Sequence, residues 1–122
     1  MLVLRAAAIL LAAVFLYSGA DKVLHWREGV DEVVTLGLPL PALFAAATIA
    51  VQLVGGLAVA CGVGAGAGSA LLALFTIMAT LLGHQFWLRH GRAAKQELTT
   101  ALEHLAIVGG LLMVIARHGL LG

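Results

Sequence analysis

The sequence predicts an all-α membrane protein: a bundle of four transmembrane helices with an interfacial amphipathic helix between spans one and two. Three observations carry this. Hydrophobic residues make up 62% of the chain and charged residues only 11%, whereas a soluble domain carries about 25% charged residues. Four apolar runs each approach the ~20 residues that a helix needs to cross the hydrocarbon. Between them stand short stretches rich in glycine, proline or charge. Helices rather than strands are expected because lipid cannot satisfy an open row of backbone polar groups. The whole chain, residues 1–122, reads as a single integral membrane domain.

Span one covers about residues 2–20 and ends in the polar stretch YSGADKVLHW, Tyr17 to Trp26. Arg5 followed by an apolar run and YSGA has the outline of a signal peptide. The three apolar runs that follow favour retention of this segment as a span. Within 22–37 the apolar residues Val23, Trp26, Val30, Val33 and Val34 recur at helical spacing, and Arg27, Glu28, Asp31 and Glu32 take the opposite side. That pattern is an amphipathic helix lying in the interface. The Leu38–Pro41 stretch, LPLP, ends it and redirects the chain. Span two covers about 41–61, with Pro41 in the first turn, where a missing N–H costs nothing. Gly62–Gly68, GVGAGAG, is read mainly as a tight turn, so spans two and three form an antiparallel hairpin. Span three covers about 67–86 and span four about 98–116.

Four spans put both termini on one side. Lys22, Arg27, Arg89, Arg92 and Lys95 lie in the first and third loops, against Arg5 and Arg117 at the ends. The excess of basic residues predicts that loops one and three face the cytoplasm. The net charge of +1 makes no electrostatic case for nucleic acid. Cys61 is the only cysteine, which excludes an internal disulfide, and its apolar, glycine-rich surroundings suit a small packing residue.

This topology brings polar residues from distant parts of the chain toward the loop-one end. Ser18, Lys22 and His25 share one helical stripe, and Thr48, Gln52 and Gly56 another. Thr76, Thr80 and His84 form a third, Thr100 and His104 a fourth. His84 closes span three, and His104 lies about 9 Å inside span four at 1.5 Å per residue, so the two histidines approach in depth. Ionisable groups in spans face the bundle interior and pair. The candidate ligand-binding residues are therefore Lys22, Gln52, His84 and His104, supported by Asp21, Tyr17, Trp87 and Glu103. Asp21 or Glu103 is expected within salt-bridge reach of Lys22. Each residue also has a plainer role. Lys22 can snorkel to the headgroups, Trp26 and Trp87 fit an aromatic belt, and Gln52 and the histidines can simply join helices. Two histidines without a second pair make a poor haem site. His84, Glu103 and His104 lack a diagnostic metal spacing, so no metal is expected. No nucleophile–base or paired-carboxylate constellation points to catalysis by this chain alone.

The segments FLYSGADKVLHW, GLPLPALFAAATIAVQLVGGLAVACGVG, ATLLGHQFW and EHLAIVGGLLMV follow one another as the four spans of the DoxX family do, and the chain resembles that family. The resemblance implies a four-helix protein of the bacterial inner membrane. It also implies association with sulfur, quinone or stress-related redox chemistry. Two positions depart from the family pattern: Gln52 stands where a Glu is frequent, and Glu103-His104 where Lys-Asn is frequent. Two functions are expected. One is a small module that binds a quinone-like or other lipophilic ligand in support of a redox or stress-response protein partner, with quinone the only cofactor suggested. The other is a structural or chaperone-like membrane partner without a ligand of its own. Membrane lipids are the expected surroundings, and a homo-oligomer is compatible with the glycine-rich segments.

Overall fold

The computed structural model describes residues 2–83, 88 and 90–120. Five helices run through them: α1 (Leu2–Leu24), α2 (Trp26–Thr35), α3 (Pro41–Cys61), α4 (Ala65–Gly83) and α5 (Gly91–His118). No strand occurs among the described residues. α1, α3, α4 and α5 are each long and apolar enough to cross a membrane. The protein is an all-α membrane bundle, as the composition predicts.

The boundaries differ from the expected ones where charge was taken as a stop signal. α1 does not end at Ala20 but runs through Asp21 and Lys22 to Leu24. The backbone of a helix tolerates a charged pair in its last turn, so hydropathy marked the edge of the apolar run and not the end of the helix. α2 accordingly starts at Trp26, and Lys22 and Val23 belong to α1. α5 begins at Gly91, well before the apolar run, because its polar first turns are still good helix formers. Residues 84–86, the last of the third expected span, lie outside the described residues.

The turn between α3 and α4 is shorter than the glycine pattern suggests. Gly62 and Gly64 have left-handed backbones with φ of 76° and 65°, a conformation that costs glycine nothing. Gly66 and Gly68 are already helical. A Cβ on Gly68 would stand 2.9 Å from the Ala58 side chain and 3.2 Å from the Gly55 carbonyl oxygen. Gly68 therefore packs the hairpin, Gly66 faces the chain at Gly119 beyond α5, and only Gly62 and Gly64 make the turn.

The helices form a ring in the order α1, α3, α4, α5. The α1–α3, α3–α4 and α4–α5 seams are extensive, and the α5–α1 seam that closes the ring is slight. Ala12, Phe15, Val59, Leu72, Ala73, Val108 and Leu111 form the buried core. It lies toward the end of the bundle where the α3–α4 turn sits, where Arg5 also donates to the Cys61 carbonyl at 3.4 Å. Large apolar residues such as Leu10, Leu24, Leu105 and Met113 face outward, the surface that lipid covers.

α2 crosses the other end. It packs mainly on α3 and more lightly on α1. Gly29 and Val33 form its buried edge, and the Gly29 backbone lies on the Lys22 stem: a Cβ there would stand 3.6 Å from Lys22 Cγ. Trp26 and Val34, on the other edge of the apolar arc, stay exposed. The apolar arc of α2 is thus wider than the bundle covers, the property of a helix that also meets the interface.

Candidate functional site

The polar side chains of the loop-one half are set by close helix approaches. A Cβ on Gly19 would stand 2.9 Å from Leu53 Cγ, and one on Gly56 2.9 Å from Leu16 Cδ2. Small residues let α1 and α3 come this near, and the approach brings Ser18 of α1 against Gln52 of α3. Gln52 Nε2 donates to Ser18 Oγ at 3.2 Å. Lys22 Nζ donates to the same oxygen at 2.8 Å. Ser18 is therefore the hub of a three-residue group joining two spans.

The direction of Lys22 is informative. A snorkelling lysine in the last turn of α1 would send its amine outward to the headgroups. Here it reaches back one turn, to Ser18, and so deeper into the bundle. The position is half-buried. The expected ion pair with Asp21 or Glu103 does not form. Among the described residues the single salt bridge joins His25 Nδ1 to Asp21 Oδ1 at 3.1 Å. Asp21 and His25 are four residues apart on the same stripe and need no other element to meet, so the local partner won. Glu103 is exposed on α5.

Gln52 is 5% exposed, about midway along α3. Its amide nitrogen is matched by Ser18, but its carbonyl oxygen Oε1 is buried with no hydrogen-bond partner. Ser69 Oγ on α4 is the other such atom among the described residues. An unmatched buried polar atom costs about 1–3 kcal/mol. The contrast with the nearby threonines is sharp: Thr76 and Thr80 send their hydroxyl protons back to the carbonyls of Leu72 and Thr76, each at 2.7 Å.

His104 forms a second centre, between α4 and α5. Its Nδ1 lies 2.8 Å from Thr80 Oγ1. Since the one proton of Thr80 is given to the Thr76 carbonyl, Nδ1–H of His104 is the donor in this bond. His104 and Thr80 join α4 to α5, whereas Lys22, Ser18 and Gln52 join α1 to α3. His84 and Trp87 lie outside the described residues, and Tyr17 is 75% exposed on the outer side of α1. Among the described residues, no three His, Cys, Asp or Glu side chains gather as metal ligands.

The structure thus brings Lys22 and Gln52 together through Ser18, and places His104 on Thr80. Ser18 and Thr80 are the two partners that the sequence pattern placed on polar stripes but not among the candidate binding residues. Their signal was present: each is a small hydroxyl residue one turn from a polar candidate, Lys22 and His84. Which hydroxyl meets which candidate depends on the packing of two helices.

A small polytopic membrane protein, with four helices around an apolar core and a polar group confined to one half, is the class these features define. The sequence model of the DoxX family matches residues 1–85, and the chain belongs to that family of small membrane proteins. The matched segment includes Lys22, Gln52 and His84. Glu103 and His104 lie beyond it. Comparison with curated proteins and with solved structures gives no match.

Proposed function

We propose that this DoxX-family protein is a small inner-membrane module that binds a quinone-like lipophilic ligand at Lys22, Ser18 and Gln52, in support of a redox or stress-response partner. The observation that carries this reading is the unmatched Gln52 carbonyl oxygen beside the inward-turned Lys22. A bundle that used its polar residues only to join helices would lose nothing by matching that oxygen, or by replacing Gln52 with an apolar side chain. Polar groups set at one end of an apolar surface are the usual plan of a small-molecule site. The partner follows from the resemblance: the chain binds and presents the ligand, and a second protein carries the redox chemistry. His104, held by Thr80, forms a separate polar contact between spans.

The test is the protein purified in mild detergent, extracted with organic solvent and titrated with a decyl-substituted benzoquinone and benzoquinol. A stoichiometric lipophilic compound in the extract, or saturable binding lost in Lys22→Met, is expected. A bare extract together with no saturable binding would leave a structural membrane partner as the function.

A further inference from the structure

The three atoms of the candidate site have different needs, and together they describe the head of the ligand. Lys22 Nζ has three protons and gives one to Ser18. It seeks an acceptor. Gln52 Oε1 has no partner, and it seeks a donor. A carbonyl group is an acceptor alone and can serve only the lysine. A hydroxyl group is both: its oxygen accepts from Lys22 while its proton goes to the Gln52 carbonyl.

The seams of the ring indicate where such a molecule lies. α1 meets α5 slightly, with Leu11 near Gly110: a Cβ on Gly110 would stand 3.4 Å from Leu11 Cδ1. The two helices are antiparallel. About two turns onward from Leu11 along α1 is Ser18, on the same face, and about two turns back from Gly110 along α5 is Glu103, also on the same face. By helical register Ser18 and Glu103 stand on the faces of α1 and α5 that carry Leu11 and Gly110, toward the loop-one end, with Lys22 one turn beyond Ser18. This seam makes the fewest contacts of the ring and is the one most easily parted.

We infer that the site takes a membrane-borne amphiphile by its hydroxyl-bearing, reduced form, with the head between Lys22 and Gln52 and the tail in the seam between α1 and α5. The inference rests on the reading of Lys22, Ser18 and Gln52 as a ligand site. The hydroxyl proton is donated to Gln52 Oε1, the hydroxyl oxygen accepts from Lys22 Nζ, and no bond is made or broken.

The experiment compares a decyl-substituted benzoquinol with the matching benzoquinone, the first under dithionite and the second in air, on the full chain in nanodiscs. The two differ only in hydroxyl against carbonyl oxygens. The quinol should bind about tenfold more tightly, the value of one buried hydrogen bond gained. In Gln52→Met the preference for quinol over quinone should vanish. A quinol carrying a diazirine in its tail should label α1 and α5 peptides. Quinone bound as tightly as quinol by the wild-type protein would overturn the inference and leave the ligand site standing. Labelling confined to α3 and α4 would overturn the seam. If neither compound binds, the site itself falls, and the inference with it.

Discussion

The two halves of the bundle obey different rules. Toward the α3–α4 turn, Phe15, Val59, Leu72 and Leu111 meet in a buried apolar core, and glycines bring α3 and α4 close. Toward α2, Lys22, Ser18 and Gln52 occupy equivalent interior positions, and one carbonyl oxygen there is unmatched. In lipid the apolar half gains little from hydrophobic transfer, since the surroundings are equally apolar. It is held by close contact. The polar half is held by a few hydrogen bonds between spans and carries the unmatched Gln52 oxygen, while the apolar half has one unmatched atom of its own, Ser69 Oγ. The difference teaches that stability is concentrated at one end of this molecule and chemistry at the other.

Substitutions can break or sharpen that contrast. The largest effect is expected in the apolar half. Leu72→Ala empties a site of 0% exposure and should cost about 2–5 kcal/mol by lost contacts, read as a lower unfolding temperature in detergent. Loss of stability no greater than that of a lipid-facing control such as Leu105→Ala would erase the contrast. Gln52→Met should have the opposite sign. It removes the unmatched oxygen, a gain of about 1–3 kcal/mol, and the bond to Ser18, a loss of about 0.6 kcal/mol, so the bundle should be stabilised by about 1 kcal/mol, measured by the same thermal assay. A destabilised variant would mean that the Gln52 bond to Ser18 outweighs the unmatched oxygen. Thr80→Val removes the acceptor of His104 Nδ1–H and should cost about 0.6 kcal/mol, the average of hydrogen bonds between membrane helices. A double-mutant cycle with His104→Leu isolates that term. The smallest effect belongs to Asp21→Asn. The His25 and Asp21 side chains are 56% and 47% exposed, so their pair should contribute less than about 0.5 kcal/mol. A larger loss, or one that also weakens quinol binding, would tie this outer pair to Lys22.

Particular residues show how far the site was legible. Lys22 and Gln52 announced themselves as polar residues on apolar stripes, and both reach the same hydroxyl. The Lys22 ion pair was read wrongly because sequence spacing cannot rank two carboxylates against one serine. Asp21 is next to Lys22 in sequence, yet adjacent helical residues point about 100° apart, and Asp21 instead meets His25 one turn away. The expected meeting of His84 with His104 falls on residues outside those described. His104 itself is placed by Thr80, a residue that the pattern had assigned to the same stripe as His84. The glycines of the α3–α4 segment were legible as a group, but their division into turn and packing positions was not. That division depends on where α4 starts and which backbone faces Gly68.

The sequence by itself determined the membrane class, the four spans, the amphipathic α2 and the hairpin of α3 and α4. Those properties follow from composition and from periodicity along one helix, and each is fixed by residues near one another in the chain. Only the tertiary structure decided that Lys22 turns inward to Ser18, that the Gln52 amide is matched at one end alone, and that the α1–α5 seam is the weak closure of the ring. These are outcomes of helix register and approach, where a glycine at position 19 or 56 sets a distance across the bundle, and no local pattern encodes which partner that distance selects.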